Sequence, residues 1–218
     1  MTARRFGRRV QHDPRSRAYG VVASSVAPLR SVTWETHAPV LDQHDLGACV
    51  GFTMAQWVNV TRSQMDADGP WLTADDAISI YSRATEIDQF EGAYPPDDTG
   101  TAGLAAAQVA VERGLIRLYR HAFGLQQTLV AIQSGPAMIG TIWLEGMNEP
   151  DSAGFLRPTG AELGGHEYLL VGCNIEQRFV TIQNSWSDSW GENGRAHITF
   201  DDLDALLENQ GDVTVLIA

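Results

Sequence analysis

The sequence predicts an α+β fold in which helices fill the first part of the chain and strands the second, as two lobes with a cleft between them. Three observations point there. Apolar residues recur at helical spacing in several segments between residues 48 and 134. From residue 137 onward, short apolar or β-branched runs alternate with turn residues. The chain has 218 residues, 44% hydrophobic and 19% charged, a globular composition of a size that buries a core without disulfides or metal.

Taken in order, residues 1–20 carry six arginines against the single acid Asp13, while the remainder is strongly acidic and the whole chain has a formal charge of −12. This stretch reads as an Arg-rich extension ahead of a domain over 21–218, itself split into a helical lobe at about 40–135 and a β lobe at about 136–218. The extension is expected either to stay solvated or to pack on the acidic body. No apolar core follows its arginines, so it is not a secretory signal. The longest apolar run, 137–144, is too short to span a membrane. The acidic balance argues against nucleic-acid binding. Two cysteines, Cys49 and Cys173, make no disulfide framework, which together with the missing signal points to an intracellular, cytoplasmic protein.

Residues 21–46, with prolines at 28 and 39, read as irregular and extended. A helix is expected from Ala48 to about Ser63, where Phe52, Gln56, Asn59 and Val60 share helical spacing. Thr73 reads as the N-cap of the next helix, with Asp76 at the capping-box position, and the helix runs to about Glu86. Pro95-Pro96-Asp97-Asp98 marks a loop, Thr101–Arg113 an alanine-rich helix, and Leu125–Ser134 a shorter one. Strands follow at Ala137–Trp143, His166–Cys173, Phe179–Asn184, Arg195–Phe200 and Val213–Ala218. A long loop covers Glu145–Leu163, and Asp201–Glu208 offers a helical turn or two.

A cysteine at a helix start is most often a small buried residue. Its place at Cys49 matters because the partial positive charge of a helix N-terminus favours thiolate over thiol. Gly47-Ala48 before it leaves room for close approach. His166, after Gly164-Gly165, is a candidate base, although a histidine at a strand start is usually a satisfied structural residue. Asn184 alone reads as a turn residue. If the two strands that carry them are antiparallel neighbours, His166 and Asn184 meet at one sheet end, and the amide oxygen can hold one imidazole nitrogen.

Three segments carry a resemblance. Asp42-Gln43-His44-Asp45-Leu46-Gly47-Ala48-Cys49-Val50-Gly51-Phe52 resembles the nucleophile segment of papain-family cysteine peptidases. Gly164-Gly165-His166-Glu167-Tyr168-Leu169-Leu170-Val171-Gly172 is similar to their histidine strand. Gln183-Asn184-Ser185-Trp186-Ser187-Asp188-Ser189-Trp190-Gly191-Glu192-Asn193-Gly194 is similar to their asparagine segment. His166 and Asn184 lie 117 and 135 residues after Cys49, against the 130–150 common in that family. The resemblance implies a papain-like two-lobe fold with a β-barrel-like second lobe, and a peptide or protein as substrate. It implies Cys49 as nucleophile, His166 as its acid–base partner and Asn184 as the residue orienting His166. Gln43 and the Cys49 backbone N–H would form the oxyanion hole. Gly47, Ala48, Gly165, Trp186 and Trp190 would line the site, with Trp186 shielding the Asn–His hydrogen bond. No cofactor or metal is implied.

Some positions depart from the family pattern. Val50 stands where an aromatic residue is usual, and Ala48 where serine is. Residues 64–76 contain no Gly-Gly, so the backbone edge that grips an extended substrate is not legible there. Glu167, an acid beside the histidine, is expected to face outward. With 48 residues before Cys49, no room is seen for a long inhibitory segment, and the Arg-rich extension is expected to leave activity unaffected. Two other functions stay open: a papain-like binding or structural module without turnover, and a thiol hydrolase of isopeptide or cell-wall amide bonds.

Overall fold

The computed structural model describes residues 4–21 and 28–218. Residues 1–3 of the Arg-rich extension and 22–27 of the irregular stretch lie outside the described residues. A short 3₁₀ turn, Pro14–Tyr19, is capped by Asp13, whose carboxylate accepts the Arg15 N–H at 2.8 Å. The strand β1 (Val32–Thr33) leads to helices α1 (Cys49–Ser63), α2 (Ala74–Ile87) and α3 (Gly103–Glu112). Then come β2 (Leu118–Ala122), α4 (Gly124–Ala131), β3 (Ala137–Leu144), β4 (Glu162–Asn174), β5 (Phe179–Gln183), β6 (Arg195–Thr199), α5 (Phe200–Glu208) and β7 (Asp212–Ile217).

α1 is the central helix, and its polar side chains are buried with partners. Asn59 exchanges two hydrogen bonds with the Leu72 backbone, at 2.9 and 2.7 Å. Thr53 donates to the Glu167 carbonyl at 3.0 Å and so ties α1 to β4. Trp57 donates its indole N–H to the Pro136 carbonyl at 2.9 Å. α2 crosses α1 closely at Gly51, where a Cβ would come within 2.8 Å of Tyr81 Cβ. The capping box of α2 is formed with aspartate in it: Asp76 accepts the Thr73 N–H at 2.8 Å, and Thr73 accepts the Asp76 N–H.

The sheet is antiparallel throughout, in the order β2-β7-β3-β4-β5-β6, with β1 paired to β4. It is open: β2 and β6 are its edges. Side chains alternate across it. Leu169 and Val171 of β4 join the core of α1–α3, whereas Tyr168 and Leu170 join the core on the opposite face, which α4 and α5 cover. β2 was not legible in the sequence, because Leu-Tyr-Arg-His-Ala is a short, half-exposed edge without clear alternation. β4 starts at Glu162, four residues before the expected start at His166, because Gly164 and Gly165 pair with Trp143 and Ile142 instead of forming a loop. Among the described residues no helix is long and apolar enough to cross a membrane.

Candidate active site

Cys49 is the first residue of α1, and Ala48 occupies the N-cap without a side-chain hydrogen bond. No capping group stands between the helix N-terminus and the sulfur. Cys49 is completely buried. Burial pushes its thiol up to about 12, outweighing backbone hydrogen bonds from Glu167, Gly7 and Val50 that pull the other way.

His166 and Asn184 meet as their strands require. β4 and β5 pair with Leu169 opposite Gln183, so the end of β5 lies against the middle of β4, just past His166. His166 Nε2 lies 2.8 Å from Asn184 Oδ1. The Ser185 backbone N–H donates to the same oxygen at 2.8 Å, which fixes the orientation of the amide. An amide oxygen only accepts, so Nε2 carries the proton and Nδ1 of neutral His166 is left with a lone pair. Nδ1 is buried and makes no hydrogen bond, so the structure joins His166 to Asn184 but forms no hydrogen bond from His166 to Cys49. Burial lowers the imidazole to about 4 despite the Asn184 hydrogen bond, and the nearby Arg4 charge adds to the lowering.

Trp186 stacks on His166 with ring centres 4.9 Å apart and covers the His–Asn pair. Trp190 meets Trp186 edge-on and donates its indole N–H to the Asn148 carbonyl at 2.8 Å. Trp143, from β3, packs against His166 at 4.8 Å. Gln43 is buried; its amide nitrogen donates to the Arg5 carbonyl at 3.1 Å and to the Leu46 carbonyl at 2.8 Å, while its oxygen accepts from Ser185 Oγ at 2.6 Å. The Gly47 N–H donates to Asp98 Oδ2 at 3.0 Å.

Residues 4–9 of the Arg-rich extension run across this cluster. The Gly7 carbonyl accepts from the Thr101 N–H at 2.8 Å, and the Arg9 N–H donates to the Thr101 carbonyl at 2.8 Å, so the segment forms a parallel bridge with the Gly100–Thr101 backbone. On its other side the Arg8 N–H donates to the Gly165 carbonyl at 2.9 Å. Gly7 lies flat on Gly47, leaving no room for a side chain. Phe6 sits edge-on to His166, 5.7 Å between ring centres. Arg4 lies over the Trp186 ring at 4.0 Å. Arg5 pairs with Asp98 at 2.9 Å. The extension therefore packs on the body, one of the two arrangements expected of it, and lies across the Cys49–His166 cluster. The opposing charges of the arginines and the acidic body supply the attraction.

Two expectations change. The backbone edge that holds an extended segment is Gly100–Thr101, well beyond residues 64–76. Glu167 does not face outward; it is fully buried. Alternation along β4 explains this, because His166 points to one face with Tyr168 and Glu167 to the other, under α1 and Arg8. Sequence reasoning also passed over Asp98, which accepts from Gly47, Tyr81 and Arg5 at once. An Asp-Asp pair after two prolines looks like any loop, and only the fold brings Tyr81 and Gly47 to it.

No family model matches the chain. It is 30% identical over 108 residues to cathepsin B-like cysteine proteinase 3 of Ostertagia ostertagi, taking in 43% of this chain and 62% of that protein's length. Among solved structures, xylellain, a cysteine protease from Xylella fastidiosa, superposes with a TM-score of 0.76 at 18% identity, over 100% of this chain and 98% of that one. The chain has the papain-like fold. Other papain-like neighbours agree: digestive procathepsin L2 proteinase from Tenebrio molitor has a TM-score of 0.68 at 16% identity, covering 100% of this chain and 79% of its own. Bromelain from Ananas comosus, solved with the E64 inhibitor, has 0.63 at 14%, covering 88% and 99%. The expected fold class stands, with the second lobe built on an open sheet.

Proposed function

We propose that this chain is a papain-like cysteine peptidase whose site is held latent by its own residues 4–9. The observation that carries the reading is the His166–Asn184 pair under Trp186, on a strand tied by Thr53 to the helix that begins at Cys49. In the open site His166 Nδ1 takes the Cys49 proton, and the thiolate–imidazolium pair attacks a peptide carbonyl. Gln43 Nε2 and the Cys49 N–H stabilise the oxyanion. His166 then protonates the leaving amine, the acyl group remains on sulfur as a thioester, and a water deprotonated by His166 releases it.

The closed arrangement accounts for latency. With Cys49 up at about 12 and His166 down at about 4, both groups are neutral over the range between, and no ion pair forms. Gly7 lies against Gly47 and its carbonyl accepts from the Thr101 N–H, so the segment occupies the site. The test is hydrolysis of a fluorogenic peptide library by the wild-type chain and by Gly7→Ala, whose added Cβ collides with Gly47. Turnover is expected to rise at least tenfold in Gly7→Ala; equal, nonzero turnover would reject latency. A second reading, a papain-like binding module without turnover, is favoured by the unpartnered His166 Nδ1. It would be preferred if Gly7→Ala exposes Cys49 to iodoacetamide and still cleaves nothing.

A further inference from the structure

One carboxylate, outside the steps assigned to Cys49, His166, Asn184 and Gln43, joins the turn before Cys49 to the Gly100–Thr101 edge. Asp98 keeps only 10% of its side-chain exposure. Its Oδ2 accepts the Gly47 N–H at 3.0 Å, and its Oδ1 accepts the Tyr81 hydroxyl at 2.6 Å. Tyr81 is fully buried on α2, and its hydroxyl oxygen accepts the Gly100 N–H at 2.9 Å. Asp98 and Tyr81 thus form a relay that ends on the backbone edge, where Thr101 holds Gly7 and Arg9. The remaining partner of Asp98 is Arg5, which is more than half exposed and belongs to the extension.

At the other end of the relay, the Leu46–Gly47 peptide is clamped on both sides. Its carbonyl accepts one N–H of Gln43 Nε2 at 2.8 Å, and its own N–H goes to Asp98. The plane of this peptide therefore sets where Gln43 presents its second N–H, which the Arg5 carbonyl accepts at 3.1 Å in the closed chain. A carboxylate on the N–H also polarises the peptide and strengthens its carbonyl as an acceptor. The fit is close, since a Cβ on Gly47 would stand 2.9 Å from Asp98 Oδ1. Two donors face Asp98 from the body, and an ionised carboxylate has an oxygen for each, where an amide has one. Arg5 leaves with the extension, but Gly47 and Tyr81 do not, so the carboxylate stays hydrogen-bonded in the open site.

We propose that Asp98 is a positioning residue of the peptidase site, aligning Gln43 through the Leu46–Gly47 peptide with one oxygen and the Gly100–Thr101 edge through Tyr81 with the other. This rests on the peptidase reading. The two arms separate in kinetics. The edge holds the peptide backbone equally in the ground state and the transition state, so loosening it raises KM. The Gln43 amide acts on the charge that develops in the transition state, so misaligning it lowers kcat.

The test measures kcat and KM for a blocked fluorogenic peptide in full-length Gly7→Ala, taken as the open parent, and in three variants built on it. Tyr81→Phe cuts only the arm to Gly100, so KM is expected to rise severalfold with kcat unchanged. Asp98→Asn keeps the shape but offers one oxygen to two donors, and kcat is expected to fall about tenfold with KM raised as well. Asp98→Asn/Tyr81→Phe removes the competing hydroxyl and leaves the amide oxygen to Gly47. Its kcat is expected to return close to that of Tyr81→Phe while KM stays high, a rescue that a residue serving only stability would not give. Parent-like kinetics in Asp98→Asn, or a double variant as slow as Asp98→Asn or slower, would overturn the positioning role and leave the peptidase reading standing. An open parent that cleaves nothing would sink the peptidase reading and this role with it. If Asp98→Asn does not fold, Tyr81→Phe decides: a fall in kcat at unchanged KM contradicts the relay.

Discussion

At Asn184 one amide oxygen receives two N–H groups, and that pins the tautomer of His166. Asn184→Ala should lower kcat about 10–100-fold in the open enzyme, the equivalent of one buried hydrogen bond to a group that becomes charged. KM should change little; an unchanged kcat would remove Asn184 from the mechanism. Gln43→Ala should cost about 100–1000-fold in kcat if its amide stabilises the oxyanion. The buried imidazole also sets a pH signature for the closed chain. Its folded pKa, near 4, lies below its unfolded value, so the unfolded chain binds more protons between about 4 and 6.5. Stability is fully present above 6.5 and falls as the pH drops toward 4, by about 3 kcal/mol. Urea unfolding across this range checks it, with His166→Gln expected to flatten the slope. Cys49, His166, Asn184, Gln43 and the two tryptophans were legible because each stands in a contiguous motif. Asp98 was not, because its chemistry arises only from contacts between distant segments.

At the scale of elements, α1 positions the sulfur, and its angle to α2 depends on the bare backbone of Gly51. Gly51→Val should destabilise the chain by about 1–3 kcal/mol or prevent folding, since Ala77 and Tyr81 leave no volume for a branched side chain. A urea midpoint equal to wild type would show that the two helices can part. The Thr73 cap and the helices around it were readable from local signals, which act over three or four residues. The extra length of β4 was not. Gly164 and Gly165 carry loop propensity, but β3 supplies their partners, and tertiary pairing overrides it. The same alternation that aims His166 at Asn184 aims Glu167 into the core. Parity within the expected strand His166–Cys173 already puts Glu167 on the side of Leu169 and Val171, the face that α1 covers.

For the whole molecule, the arrangement is a papain-like cleft with a segment of its own chain lying in it, on the Gly100–Thr101 edge on one side and Gly165 on the other. The basic first 20 residues and the acidic remainder of the sequence hinted at this contact without saying where it falls. Displacing the segment should let Cys49 and His166 regain water and their charges. The most direct measurement is peptide hydrolysis, under reducing conditions, by full-length Gly7→Ala and by Gly7→Ala/Cys49→Ala, with covalent labelling of Cys49 by a thiol-directed epoxide alongside. Turnover and labelling are expected in the first and neither in the second. Turnover that survives loss of Cys49, or a labelled Cys49 that cleaves no peptide in the library, would contradict the assignment of Cys49 and His166 as a working peptidase pair.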